Sequence, residues 1–289
     1  MPSQVRTDAV QREVARQFPQ WAEFPVRPVE RQGHDNRTFR IGERLSARVP
    51  SHPAYVEHGS YEFACLPRIA RGLSLPIPEP VARAEAGEEI RWPWLVLRWI
   101  PGETGSLEGL ADPLTFARDL AGFLVELHAI DAGSGPAPGQ HNFFRGGPLA
   151  TYDADTRARI AAFDAELGGE RMTAAWERAL ASHWEREPVW VHGDLAIDNV
   201  LLNAGQLCAV IDFGLCAAGD PACDLVGAWT MFSGEARRTF IENVGLDDAT
   251  WDRARGWALW KALFRVEEAA GEPERRQFFL RHAEDILSE

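Results

Sequence analysis

Lysine is almost absent from this sequence, and positive charge is in the minority. Among its 289 residues Lys261 is the only lysine, and 30 Lys and Arg stand against 43 Asp and Glu, for a formal net charge of -13. Proteins that bind the phosphate backbone of nucleic acids depend on clustered Lys and Arg. A nucleic-acid partner is therefore not expected.

Long apolar runs are also missing. No stretch approaches the roughly 20 apolar residues that a membrane helix needs. The first 18 residues have no apolar segment of the kind found in signal peptides, because they carry Arg6, Asp8, Arg12, Glu13 and Arg16. These absences predict a cytoplasmic protein without a membrane partner.

Cysteines are few and form no CxxC pair, so neither a zinc site nor a disulfide framework is indicated for Cys65, Cys208, Cys216 and Cys223. A metal pair formed by Cys216 and Cys223 stays open as an alternative. No GxxxxGK[ST] segment occurs either, which excludes a P-loop kinase. With 45% hydrophobic and 25% charged residues, the chain has the composition of a globular protein with one large or two modest domains.

Hydrophobic periodicity divides the chain near residue 100. Before that point, a helix is predicted at 7–18 and another at 55–70, among short strands at 26–29, 38–41, 45–49, 81–86 and 94–99. The segment 100–103, Ile-Pro-Gly-Glu, is a candidate hinge. Beyond it the pattern is helical at 114–130, 153–167 and 173–183, then strand-like and loop-like at 189–214, then helical from about 222 onward. The predicted domains are residues 1–100 and 101–289.

The most informative segment lies between residues 189 and 214. His192-Gly193-Asp194 is followed, after four residues, by Asn199, and Asp212-Phe213-Gly214 comes later. Phosphoryl transfer to a hydroxyl needs a carboxylate that accepts the hydroxyl proton and hard oxygen ligands for a metal on the phosphates. Asp194 suits the first role, and Asn199 with Asp212 suits the second. Strands at 200–202 and 207–211 predict a hairpin that would bring the two ligands to one ion.

This segment resembles the aminoglycoside and macrolide phosphotransferase family, whose members carry an HGD-x4-N loop followed by a D-x-G metal motif. Gly219-Asp220-Pro221 and Asp224-Leu225 also resemble the family's GDPxxDL segment. We interpret Asp220 as an N-cap followed by proline at the first helical position, and His192 as a structural residue of the loop.

The resemblance implies an α+β, two-lobed protein-kinase-like fold, with a small antiparallel N-terminal lobe that binds nucleotide and a larger, mostly helical lobe. It implies an enzyme that moves the γ-phosphate of ATP or GTP, with Mg²⁺, to a hydroxyl of a small molecule, namely an aminoglycoside or macrolide antibiotic. Two alternatives stay open: a metabolic kinase of a sugar, amino alcohol or homoserine-like acceptor, and a catalytically silent nucleotide-binding protein. The oligomeric state is not indicated.

In the N-terminal half, the resemblance implies a strand lysine on the nucleotide phosphates and a helical glutamate that orients it. Lys261 lies far along the chain, so Arg48 takes this place, with Glu62 as its expected partner and Glu57 as the alternative. A strand-end arginine in solvent is the competing interpretation of Arg48. Asn36, in the turn after Gly33, is either a phosphate contact or part of an ordinary hairpin turn.

Two further expectations concern the nucleobase of the nucleotide and the binding of the molecule that accepts the phosphate. The backbone of Arg98, Trp99 and Ile100 is expected to meet the nucleobase, as the hinge does in this fold. For the acceptor, the loop at 141–148 is a candidate for recognition. Three late glutamates could face a polyamine, although a solvated helix face explains them better: Glu267, Glu268 and Glu272.

Overall fold

The structure is a computed structural model of the chain and describes residues 5–133 and 135–288. Its internal contacts group the chain into two compact units. The first unit contains the chain as far as Glu103 together with Cys208–Gly214, and the second contains Thr104–Leu207 and the chain from Leu215 onward.

The described part of the first unit is built on an antiparallel sheet with two α-helices. Its elements are α1 (Thr7–Gln17), β1 (Val26–Pro28), β2 (Asn36–Ile41), β3 (Leu45–Pro50), α2 (Val56–Ile69), β4 (Pro80–Ala84) and β5 (Trp94–Arg98). The five strands follow the order β1-β2-β3-β5-β4. The register places Thr38 of β2 opposite Arg48 of β3, and Arg48 opposite Leu95 of β5. The strands and helices predicted for this part of the chain are therefore present, and none of their ends is shifted by more than two residues.

Helix α1 packs against this sheet and closes its core. Val10 and Val14 lie four residues apart on one helical face, and both are fully buried with Ile41 and Val96 of the sheet. Burying a side chain of this size stabilises the fold by about 1.5–3 kcal/mol. The same core contains Trp94, whose ring meets that of Phe18 edge-on at a centroid distance of 6.0 Å.

The segment Cys208–Gly214 falls inside the predicted domain 101–289 and has contacts with residues much earlier in the chain. Its contacts group it with the first unit. The Val210 N–H donates to the Pro76 carbonyl at 3.2 Å, and Asp212 forms an ion pair with Arg48. These contacts could not be predicted from the local sequence, because the two partners, Pro76 and Arg48, lie much earlier in the chain than the segment itself.

The second unit is mostly helical. The remaining elements of the chain are β6 (Glu103–Thr104), α3 (Pro113–Ala129), α4 (Asp153–Ala162), α5 (Asp164–Leu167), α6 (Gly169–Leu180), β7 (Val189–Val191), β8 (Val200–Asn203), β9 (Gln206–Val210), β10 (Ala217–Gly219), α7 (Gly227–Thr230), α8 (Gly234–Val244), α9 (Asp248–Glu268) and α10 (Pro273–Leu287). β7 pairs with β10, and β8 lies between β6 and β9. In the two described ranges, no helix is long and apolar enough to cross a membrane.

The predicted hairpin at 200–211 is present as β8 and β9. Ala204 and Gly205, which connect them, both have positive φ, 50° and 75°. Two consecutive positive φ values are the signature of the tight turns whose twist matches that of paired strands. A Cβ at Gly205 would lie 2.7 Å from the Ala111 nitrogen, so glycine is required there.

Helix α9 is the most buried long helix of the second unit, and small residues let it approach α6. A Cβ at Gly256 would lie 2.5 Å from the Ala179 Cβ, so the two backbones can pack this closely only with glycine at the contact. The neighbouring Trp257, Leu259 and Leu263 are buried. This packing fixes the position of the following turn of α9, which carries Lys261.

We expect Trp94→Ala to lower the free energy of unfolding by about 3–5 kcal/mol, because it removes a 1% exposed indole and leaves a cavity between α1 and the sheet. Urea denaturation measures this change. Phe24→Ala is the control, since Phe24 is 43% exposed, and should change stability by less than about 1 kcal/mol. Equal losses in both variants would contradict the position of the core.

Candidate active site

The loop that carries Asp194 leaves β7 through a glycine that no other residue can replace. Gly193 has φ +85°, and a Cβ on it would lie 2.3 Å from the Leu215 carbonyl oxygen. The chain therefore turns in the left-handed region, next to the backbone that follows Gly214. This explains the glycine of the His-Gly-Asp motif in physical terms.

Asp224 holds the start of this loop. Its carboxylate is fully buried and accepts the His192 N–H at 2.6 Å and the Gly193 N–H at 2.7 Å. Burial raises the pKa of Asp224 despite these bonds and the nearby imidazole of His192. The two backbone donors thus end on one carboxyl group, which sets the direction of the chain into Asp194.

His192 is fully buried, and its side chain contacts the backbone of its own loop. Its Nδ1 accepts the Asp194 N–H at 3.2 Å, so in the neutral ring the proton is on Nε2. This geometry agrees with the structural role expected for His192.

Asp220 caps the segment that delivers Asp224. Its side chain accepts the Ala222 N–H at 3.0 Å, with Pro221 at the first position, as predicted. The capped element is a 3-10 helix, Pro221–Val226, rather than the expected α-helix, which begins only at α7. Arg253 of α9 donates to the other Asp220 oxygen at 2.7 Å, and both side chains are buried.

Lys261 contacts Asp194, which the sequence analysis missed by treating the lysine as remote. The Nζ of Lys261 lies 2.9 Å from Asp194 Oδ1. Burial alone would raise the pKa of Asp194, but the charge and hydrogen bond of Lys261, helped by Arg145, hold that pKa below its usual value. The one available signal was that the chain's only lysine stands in a helical pattern whose neighbours are tryptophans.

Asn199 stabilises the same loop from its other end. Its Nδ2 donates to the Asp194 carbonyl at 2.8 Å, which leaves the amide Oδ1 as a hard oxygen for another partner. Asn199 belongs to the second unit and Asp212 to the first. Their sharing of one ion therefore stays a prediction.

In the first unit, Arg48 joins two carboxylates. Its Nη1 donates to Glu62 Oε1 at 2.6 Å and its Nη2 to Asp212 Oδ1. The Arg48 and Glu62 side chains are 11% and 1% exposed, so the interpretation of Arg48 as a strand-end residue in solvent is wrong. Glu62, rather than the exposed Glu57, is the carboxylate in contact.

Burial raises the pKa of Glu62 and is only partly offset by the neighbouring Arg48 charge. For Arg48 burial acts in the opposite direction, but Asp212 and Glu62 more than offset it and raise the guanidinium pKa. Arg48 therefore stays charged. Removing that charge would leave a buried carboxyl group without its partner.

Asn36 and the backbone of Asp212 complete this cluster. With its amide oxygen turned to the guanidinium, Asn36 accepts from Arg48 Nε at 2.9 Å and from Nη2 at 3.1 Å. Asp212 has φ 68°, in the left-handed region that costs energy for a residue with a side chain. Such strain concentrates at functional sites. A phosphate contact by Asn36 stays a prediction, since its oxygen has a partner inside the protein.

The segment expected to meet the nucleobase already uses two of its backbone donors. The Arg98 N–H donates to the Glu79 carbonyl and the Trp99 N–H to the Arg44 carbonyl, each at 2.8 Å. The Arg98 side chain pairs with Glu79, and Arg40 lies over the Trp99 ring at 4.1 Å. A base contact by these residues and Ile100 stays a prediction.

The side-chain oxygens of Asp212 and of Asn199 are individually of the kind that Mg²⁺ binds in company with a nucleotide. Among residues 5–133 and 135–288, no three His, Cys, Asp or Glu side chains come together as a metal cluster. Mg²⁺ typically takes only one or two protein oxygens and completes its shell with phosphates and water. Asp212, 42% exposed in the first unit, and Asn199 Oδ1 in the second unit are each oxygens of this kind. Cys216 and Cys223 are buried thiols, and burial raises the Cys223 pKa, which disfavours the thiolate a metal needs.

The loop at 141–148 meets α9 through a cation over aromatic rings. The Arg145 guanidinium lies 4.7 Å from the Trp260 ring centroid and 5.3 Å from that of Trp257. Asn142, fully buried, shapes the loop by accepting the Gly139 N–H at 2.9 Å and donating to the Arg145 carbonyl at 3.0 Å. This loop therefore approaches the helix that carries Lys261.

The three late glutamates each have an arginine partner. Glu267 pairs with Arg159 at 2.7 Å, Glu268 with Arg265 at 2.9 Å and Glu272 with Arg275 at 2.8 Å. Their charges are compensated within the protein, which favours the solvated-helix interpretation over a polyamine site.

Comparison with known proteins identifies the family. The model of the phosphotransferase enzyme family matches residues 25–257. The chain belongs to this family, which confirms the resemblance recognised in the sequence.

Individual proteins that are similar to this chain are also phosphotransferases. The aminoglycoside 3'-phosphotransferase of Escherichia coli is 28% identical over 162 residues, which span 54% of this chain and 59% of that protein. The structure of aminoglycoside 2'-phosphotransferase-IIIa in complex with GDP matches with a TM-score of 0.74 at 18% identity, over 98% of this chain and 99% of the other. A macrolide 2'-phosphotransferase from Brachybacterium faecium matches with a TM-score of 0.62 at 21% identity, over 96% and 97% of the two chains. These structures confirm the predicted kinase-like α+β fold.

We expect Asp224→Asn to lower the free energy of unfolding by about 1.5–3 kcal/mol, because an amide supplies one acceptor oxygen for two backbone donors and turns an NH₂ toward one of them. Chemical denaturation measures the loss. Asp198→Asn makes the same change at an exposed position of the same loop and should cost less than about 0.5 kcal/mol. Indistinguishable stabilities would show that Asp224 does not hold the loop.

Proposed function

We propose that this protein transfers the γ-phosphate of ATP or GTP, with Mg²⁺, to a hydroxyl group of a small molecule, and that the acceptor is an aminoglycoside or macrolide antibiotic. The family membership supports the reaction class, and the relatives named for aminoglycosides and macrolides support the acceptor class. The observation that carries the proposal is Asp194, a carboxyl group held in its charged form by Lys261 on a loop fixed by Asp224.

The candidate site residues have different chemical roles in the proposed reaction. Asp194 accepts the proton of the attacking hydroxyl and aligns it, since a carboxylate with a lowered pKa is ionised at neutral pH. Asn199 and Asp212 offer the oxygens that would hold Mg²⁺, whose charge would neutralise the phosphate oxygens. Arg48, kept charged and oriented by Glu62, is the candidate phosphate contact.

A nucleotide-binding protein without transfer activity is the second candidate. One observation favours it: Arg48, in the place of the usual lysine, forms an ion pair with Asp212 and so occupies one oxygen of the expected metal ligand. Metal binding would require that pair to open or to share the carboxylate. Nucleotide binding without turnover would support this candidate.

The decisive test is a panel of aminoglycosides, macrolides and simple hydroxylated metabolites, incubated with ATP or GTP and Mg²⁺. We expect one acceptor class to gain a phosphoryl group, detected by mass spectrometry, with matching formation of nucleoside diphosphate. Asp194→Ala should reduce turnover by about 10²–10⁴-fold, because it removes the group that accepts the proton. Asp198→Ala, at the exposed loop position, is the control and should retain turnover. Full activity of Asp194→Ala would overturn the assignment.

A second test addresses Arg48 and Glu62. We expect Arg48→Met and Glu62→Gln each to weaken nucleotide binding, measured by calorimetry, by about 1.5–3 kcal/mol, and the double variant to lose little more, because the two side chains act as a pair. Arg48→Lys should retain most of the affinity and covers the case in which Arg48→Met fails to fold. Arg27→Met, a 67% exposed arginine of the same sheet, is the control. Additive losses would argue against a coupled pair.

A further inference from the structure

Lys261 stands at the end of a short chain of contacts within the second unit. Gly256 allows α9 to pack closely on Ala179 of α6, and the following Trp257 and Trp260 are 2% and 7% exposed. Lys261 comes next on the same helix, with its side chain 26% exposed, and its Nζ reaches Asp194 Oδ1 at 2.9 Å. The ammonium is thus placed by a rigid, well-packed helix rather than by a surface loop.

Stability alone does not account for this pair. Asp194 is 39% exposed, and ion pairs with this much solvent access contribute little to folding. The ion pair does, however, fix how the two oxygens of the Asp194 carboxylate are used. Oδ1 is occupied by Lys261, whereas no hydrogen bond within residues 5–133 and 135–288 reaches Oδ2.

We propose that Lys261 is a positioning residue of the phosphoryl-transfer reaction: its ammonium holds Oδ1 of Asp194 and leaves Oδ2 as the oxygen that accepts the acceptor's hydroxyl proton. This inference rests on the proposed function. In the step it serves, the hydroxyl proton passes to Oδ2 and the hydroxyl oxygen forms a bond to the γ-phosphorus. The bond from that phosphorus to the bridging oxygen breaks, and the nucleoside diphosphate leaves with the electron pair.

Burial raises the pKa of Asp194, and three groups around its carboxyl group act in the opposite direction. Lys261 of α9 contributes a charge and a hydrogen bond, Arg145 of the loop before α4 contributes a more distant charge, and His192 lies in the same loop. All three favour the carboxylate, and Lys261 has the largest effect of the three. Removing the ammonium therefore raises the Asp194 pKa, and the acidic limb of the rate profile moves to higher pH.

The experiment measures kcat for phosphoryl transfer against pH for the wild type, Lys261→Met and Lys261→Arg. Nucleotide hydrolysis, in which water replaces the acceptor, is recorded in the same samples. We expect Lys261→Met to lose about tenfold or more in kcat, to shift its acidic limb upward and to keep its KM for nucleotide, because the change acts on the proton acceptor. Lys261→Arg should retain the wild-type limb, since it keeps the charge.

Arg265→Met is the matched control, because Arg265 lies one turn further along α9 and pairs locally with Glu268. Its pH profile should equal that of the wild type. If the profile of Lys261→Met also coincides with that of the wild type, or if KM for nucleotide changes in place of kcat, the positioning role is overturned.

A readout without turnover separates this inference from the proposed function. The Asp194 carboxyl carbon, followed by NMR titration, should have a higher pKa in Lys261→Met than in the wild type, and the same pKa in Arg265→Met. A protein that shows this shift but transfers no phosphate would refute the proposed function and keep the ion pair as the control of Asp194 ionisation. An unchanged Asp194 pKa would overturn the inference whether or not the protein is active.

Discussion

The two oxygens of Asp224 receive the N–H groups of His192 and Gly193, and the direction of the chain into Asp194 depends on this single carboxyl group. Asp224 is itself placed by Asp220, which caps its 3-10 helix and is fixed in turn by Arg253 of α9. The same helix carries Lys261. One buried helix therefore positions both the support of the loop and the cation on its functional carboxylate.

The first unit also contains buried charged side chains that are stabilised by partners within the protein. Arg48 would be costly to bury alone, and Glu62 would be equally costly, but together with Asn36 and Asp212 they form a cluster in which every charge has a partner. The cluster draws residues from β2, β3, α2 and the segment after β9. Tertiary structure rather than local sequence thus defines it, and the left-handed backbone of Asp212 is part of the same arrangement.

The sequence predicted the local features well because they have local causes. Alternating strands at 38–41 and 45–49, the turn at Ala204-Gly205 and the cap at Asp220 depend on residues within a few positions of each other. The pairing of Arg48 with Glu62 could also be predicted, because the strand offered one cation and the next helix few carboxylates. Lys261 could not be predicted to reach Asp194, since 67 residues separate them and only the packing of α9 on α6 brings them together. The grouping of Cys208–Gly214 with the first unit escaped prediction for the same reason.

The scarcity of lysine has a chemical consequence for the finished molecule. Apart from the α-amino group of the chain, Lys261 offers the only primary amine in the sequence, so reagents that acylate amines find one side chain to modify. That amine is 26% exposed and engaged by a carboxylate, and acylation requires its unprotonated form. The rate of such labelling therefore reports directly on whether the Asp194 ion pair is closed or open, and it provides a single-site probe without any engineered residue.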